Sequence, residues 1–189
     1  MDEFEPSRET TGDLTLGMVV ARDRWALYAS TEGIFARGAT PRGEVSLTRG
    51  PGVGRNAEET ANGAECWTLS LRGEPRLVID KLGSPGYPAQ RSLSRGVEGK
   101  LDGVPFRASA KSALRPSRRY VALEGDSIDV RFITRRMTPR LVEGGHEVGA
   151  VMGRRWELNS PSDGAVLAAC LYEWAVWVHF LRTPVIRQM

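Results

Sequence analysis

Residues 160–181 read SPSDGAVLAACLYEWAVWVHFL, and how this stretch is buried decides the fold. Its first residues carry a helix-start signature: Ser160 or Ser162 as the cap, with Pro161 and Asp163 in the first turn. From Ala165 to Leu181 there are 17 residues, of which only Glu173 and His179 carry or readily gain a charge near neutral pH. Arg182, Thr183 and Pro184 then supply a cation for the negative helix end and a breaker just beyond it. A helix apolar on every side must be covered by protein or by lipid. A membrane span needs about 20 apolar residues, and a central carboxylate such as Glu173 costs roughly 2.5–3.5 kcal/mol there. The stretch therefore reads as a helix over 163–181 enclosed by the rest of the chain, with a membrane tail anchor as the alternative.

The preceding sequence supplies a wall for such a helix. Between residues 14 and 158, short apolar runs alternate with turn residues. In Ile128–Phe132, the apolar Ile128, Val130 and Phe132 share one face while Asp129 and Arg131 share the other. That period of two marks a half-buried strand. Trp25, Leu27 and Ala29 repeat it, as do Trp67, Leu69 and Leu71. Glu124-Gly125-Asp126-Ser127 and Glu143-Gly144-Gly145-His146 separate such runs as hairpin turns, and Asp102-Gly103 is another turn pair. Further strands are expected at Leu93–Val97 and Lys100–Ala108, and long loops at Arg49–Asn62 and Gly83–Ser92. The predicted architecture is all-β: an antiparallel barrel of about 12 strands around one hydrophobic C-terminal helix. It divides into a disordered N-terminal segment, 1–13, and a single domain, 14–189. The acidic, polar start lacks the basic and apolar regions of a secretory signal, so a cytoplasmic location, peripheral at a membrane, is expected.

Gly145–Val178, GHEVGAVMGRRWELNSPSDGAVLAACLYEWAVWV, carries a family likeness. A strand with Glu-Val-Gly, a second short strand, and a Pro- and Asp-marked start of an apolar helix follow in order. Together with the many strands before it, this resembles the Tubby C-terminal-like superfamily, which includes the Tubby proteins, the LURP-one-related proteins and the phospholipid scramblases. The resemblance implies a barrel threaded by its last helix and a non-enzymatic, lipid-facing role. No binding residue of that family carries over to a position of this sequence.

The charge is unevenly spread. The 189 residues hold 26 Lys plus Arg against 23 Asp plus Glu, a net of +3. Only three of the basic residues are Lys (Lys81, Lys100 and Lys111). Residues 1–65 carry seven Arg and eleven acids; the remainder is basic. Residues 115–155 hold nine Arg against five acids. If the hairpins pair in order, Arg118 and Arg119 share a rim with Arg135 and Arg136. The candidate anion-binding residues are Arg115, Arg118, Arg119, Arg135, Arg136, Arg154 and Arg155. Arginine suits phosphate because its planar fork bonds two oxygens at once. Nucleic acid is disfavoured as the partner, since no aromatics are interleaved to stack bases. Anionic membrane lipid is the first candidate, a protein partner the second.

Other chemistry finds little support. Gly125-Asp126-Ser127-Ile128 mimics a hydrolase nucleophile block, but neither His146 nor His179 has an acid three residues before it. Gly50–Arg55 is glycine-rich without Gly-Lys-Ser/Thr. Glu173 and His179 fall on different helix faces, and Glu173 is expected to meet an Arg or backbone donors of the wall. Cys66 and Cys170 read as small buried hydrophobes, and the tryptophans as core. No catalytic residue, metal site or cofactor is implied. The sequence points to a non-catalytic module that docks an anionic surface through an Arg-rich rim. The alternatives are a protein-interaction or structural component, and a small-molecule-binding barrel or enzyme.

Overall fold

The computed structural model describes residues 12–14, 33–51, 65–83, 87–113, 115–136, 138–152 and 155–174. They form mostly antiparallel sheet: β1 (Gly12–Leu14), β2 (Gly33–Thr40), β3 (Gly43–Pro51), β4 (Glu65–Leu71), β5 (Glu74–Ile79), β6 (Val97–Leu101), β7 (Val104–Lys111), β8 (Tyr120–Gly125), β9 (Ile128–Arg135), β10 (Thr138–Glu143), β11 (His146–Met152) and β12 (Arg155–Leu158). Two helices accompany it, α1 (Tyr87–Arg95) and α2 (Asp163–Trp174), with a single 3-10 turn at Pro116–Arg118. The sheet is one meander from β2 to β12, and β1 returns to pair with β12. Of the loop expected at Arg49–Asn62, Arg49–Pro51 are instead the end of β3, paired with β4. The rest of that loop, 52–62, the expected strand through Trp25–Ala29 and the helix beyond Trp174 lie outside the described residues.

Alternation builds the wall. In β4, Glu65, Trp67, Leu69 and Leu71 are buried while Cys66, Thr68 and Ser70 are half-exposed. Ile128, Val130 and Phe132 of β9 are buried, and Asp129 and Arg131 are exposed. Cys66 thus sits on the outer face, contrary to its expected burial. The two-residue turns take their expected places. Asp102-Gly103 has φ of 53° and 83°, and Gly144-Gly145 has 55° and 84°. Positive φ at both central residues gives the turn whose twist matches the paired strands.

One segment departs from its expected form. The loop at Gly83–Ser92 and the strand at Leu93–Val97 are replaced by α1, after which β6 starts only at Val97. Pro88 fits the first turn of a helix, and Ala89 and Leu93, four residues apart, share its buried face. Gly96, at φ +83°, ends it, with its N–H donating to Leu93 O at 3.1 Å. The expected strand Lys100–Ala108 is likewise two, β6 and β7, split at Asp102-Gly103.

Helix α2 is buried on all sides. Every residue from Gly164 to Tyr172 is inaccessible to solvent. It touches β3 and β4 on one side and β9 and β10 on another, strands far apart in the sheet order. The Tyr172 ring stacks on Phe132 at 4.5 Å and meets the edge of Trp156 at 5.5 Å. The sheet therefore curls around the helix. Its edge strands β1 and β2 approach within 8 Å between Cα atoms, but no described backbone pairing joins them, so the pairings stop short of the expected closed barrel.

The start of α2 is fastened to one rim. Ser162, not Ser160, is the cap: its Oγ accepts the Ala165 N–H at 3.1 Å and donates to Glu143. Asp163 faces Arg42 at 3.7 Å and Arg76 at 3.5 Å. Farther inside, Arg49 and Glu65 form a two-pronged ion pair of 2.7 and 2.9 Å beside the Trp67 ring. Both are 4% exposed, so neither charge has water to fall back on.

Leu167→Ala should destabilise the protein by about 2–5 kcal/mol, because the enclosing wall cannot collapse into the space. Glu65→Ala should cost about 3–5 kcal/mol by stranding the Arg49 charge. Urea unfolding followed by tryptophan fluorescence checks both.

Candidate anion-docking rim

Successive strands run in opposite directions, so their connections alternate between two rims. Helix α2 starts at one of them, beside Leu101 and Ile128. The other receives the ends of β5, β7, β9 and β11 and the starts of β6, β8, β10 and β12. The cross-strand pairs Lys111↔Tyr120, Tyr120↔Ile133, Thr138↔Arg135 and Met152↔Arg155 fix the register along it.

This second rim gathers the sequence candidates. Arg115 and Arg118 lie in the β7–β8 connection, Arg135 and Arg136 at the β9–β10 turn, and Arg155 opens β12. Arg154 lies outside the described residues, and of Arg155 only the backbone position is described. Three further cations, absent from the sequence candidates, join them. Lys111 ends β7, and Arg91 and Arg95 project from α1, which fills the step left by the short β6. These two were hidden because their segment does not read as a helix; four apart, they share its exposed face.

The seven side chains of Arg91, Arg95, Lys111, Arg115, Arg118, Arg135 and Arg136 are all exposed, and none has an ion-pair or side-chain hydrogen-bond partner among the described residues. Among the described residues, the acids on this rim are Asp80 after β5, Glu98 near the start of β6, half-buried Glu173 on α2, and Glu65, which Arg49 already holds. Glu173 has no hydrogen bond or ion pair there, so its expected wall partner is not found. Arg119 does not belong with the exposed cations. It is 8% exposed and its Nε donates to Ala113 O at 2.6 Å, which ties down the β7–β8 connection.

Every other arginine whose side chain is described is engaged. Arg37 pairs with Glu44, Arg131 with Glu124 beneath Tyr120, and Arg140 with Glu147. Arg72 donates to Arg42 O and Arg107 to Arg95 O. On the helix-start rim Arg76 holds Asp102, with Nη2 to Oδ2 at 2.7 Å, as well as Asp163. The hydrogen bond from Arg76 holds the Asp102 carboxyl below its ordinary range, and the Arg76 charge adds to this. The arginines of the two rims thus differ: Arg42, Arg72 and Arg76 on the helix-start rim are all engaged, while the other rim holds the six open arginines together with the engaged Arg49 and Arg119.

The remaining sequence candidates fall elsewhere. Ser127 is an exposed turn residue between β8 and β9, and His146 is exposed at the start of β11. Burial, with the nearby Glu173 charge, pushes the Cys170 thiol up, away from nucleophilic character. Among the described residues, no three His, Cys, Asp or Glu side chains group as a metal site, and no helix is long and apolar enough to cross a membrane. His179 lies outside the described residues. Compared with known protein families, curated proteins and solved structures, the chain matches none.

Asp102→Asn keeps a residue that tolerates positive φ and removes only the charge. Because the folded carboxyl titrates below the unfolded one, its stabilisation is present above about pH 4 and disappears as pH falls through the lower folded value. The wild type should exceed Asp102→Asn in stability by under about 1 kcal/mol at pH 7, since the pair is partly exposed. Melting temperatures of the two proteins should converge in acid.

Proposed function

We propose that this protein is a non-catalytic module that docks an anionic surface through the rim bearing Arg115, Arg118, Arg135 and Arg136, with anionic phospholipid as that surface. The observation that carries the reading is the concentration of exposed, unpartnered cations on one rim, while other described arginines are engaged. A cation that already holds an acid gains little from a second anion. Each free Lys or Arg near an anionic bilayer contributes about 1 kcal/mol. A non-catalytic role is supported by the interior, which α2 and the inward side chains fill where a substrate would need space.

The same reading takes the curled sheet as a barrel of the Tubby-like kind, closed between β1 and β2 around α2. Its support is the contact of α2 with both halves of the sheet and the close approach of the two edges. We place the protein in the cytoplasm, peripheral at the membrane.

Co-sedimentation with vesicles tests the docking. Phosphatidylserine-containing vesicles should retain the protein, neutral phosphatidylcholine vesicles should not, and rising salt should release it. Arg135→Ala/Arg136→Ala and Arg115→Ala/Arg118→Ala should each weaken retention by roughly an order of magnitude or more, given about 1 kcal/mol per cation. Retention by neutral vesicles that ignores salt would count against the reading.

A further inference from the structure

The basic rim carries one side chain that charge does not explain. Met152, at the end of β11, is 52% exposed, the most exposed of the large hydrophobic residues described. A single exposed apolar residue is ordinary on a protein surface. Its setting distinguishes this one. Met152 pairs with Arg155 of β12, and the register running from Arg140↔Ala150 carries it to Thr138 on the other side, which in turn pairs with Arg135. The outer row along the rim is therefore Arg135, Thr138 and Met152, with the backbone position of Arg155 next in register. The sequence repeats the combination, with Arg135-Arg136-Met137 in one stretch and Met152-Gly153-Arg154-Arg155 in the other. Val104, the second exposed large hydrophobic residue, starts β7 on the opposite rim, where Lys100 on the neighbouring strand is the open cation nearest in register.

We infer that Met152 inserts into the interfacial layer of an anionic bilayer while Arg135 and the other open cations of the rim hold the headgroups. This rests on the docking reading above and deepens it, because it separates a bilayer from a soluble polyanion: only a bilayer offers apolar depth beneath its charged surface. Methionine suits the task, being unbranched, flexible and uncharged. Stable attachment to a membrane generally needs two signals, and here they are cations and an apolar side chain. The cations give a contribution that salt screens, and the thioether one that salt leaves intact.

The test is a salt series of vesicle binding by the full chain, on phosphatidylserine-containing vesicles, for the wild type, Met152→Ser, Met152→Leu and Arg135→Ala. Burying most of a methionine side chain predicts roughly tenfold weaker binding for Met152→Ser at every salt concentration. Its plot of log affinity against log salt should keep the wild-type slope. Met152→Leu should restore the affinity. Arg135→Ala should instead flatten the slope. Met152→Ser binding like the wild type, with Arg135→Ala still weaker, overturns insertion and leaves the docking rim standing. Wild-type protein that does not prefer anionic vesicles overturns both readings. Binding to a single-stranded RNA that matches vesicle binding in strength, with neither changed by Met152→Ser, overturns the bilayer as partner.

Discussion

A helix without a polar side is the constraint on which the rest of the structure depends. From Gly164 to Tyr172 no residue of α2 reaches solvent. A flat sheet could cover one side of such a helix and would leave the other in water. The sheet must therefore curve until strands as distant as β3 and β10 meet the same helix. Curvature makes its own demand for small residues where strands crowd. At Gly99 a Cβ would lie 2.7 Å from the Val78 carbonyl oxygen, and the Phe106 ring occupies the place a side chain would take. The interior is then spoken for, and only the two rims and the outer face remain for contact with other molecules.

The meander decides what each rim can carry. Alternate connections share a rim whatever their length, so the arginines of the β7–β8 connection and the β9–β10 turn converge although 17 positions separate Arg118 from Arg135 in sequence. The opposite rim has tight turns, and its charges are drawn into Arg76–Asp102, Arg76–Asp163 and Arg42–Asp163, which secure the first turn of α2. Among the described residues, the open arginines thus all lie on the rim away from the helix start. Arg119 is the engaged arginine in their midst. It neighbours Arg118 in sequence, yet its guanidinium is turned inward to the Ala113 carbonyl. A variant at Arg119 would disturb the shape of the β7–β8 connection before it disturbed any ligand.

Strand alternation made the wall legible, since inward residues such as Trp67, Leu69, Val130 and Phe132 announce themselves by a period of two. The convergence of Arg118 with Arg135 followed from the hairpin order alone. What stayed hidden depends on contacts that no local pattern encodes. Tyr87–Arg95 is short and polar, and it is helical because Ala89 and Leu93 find a buried site beside β7. Arg49 and Glu65 form a buried pair across 16 positions, which the sequence presents as two ordinary charges on either side of a glycine-rich loop. Met152 reads as one more apolar strand residue until the register shows that it ends its strand in the open.

The balance of forces on the basic rim can be weighed. Helix α2 runs toward this rim, from Asp163 beside Arg76 to Tyr172 beside Trp156, and half-buried Glu173 follows on it. Among the described residues, the rim's acids outside the Arg49–Glu65 pair are Glu173, Asp80 and Glu98, and the seven open cations outnumber them. At physiological salt a charge acts over about 8 Å, so an approaching surface feels these cations only at close range. Such a rim attracts an anionic surface over a short distance and releases it readily as salt rises. Holding it longer requires a contribution that screening does not weaken, and an exposed apolar side chain in the same row has that property.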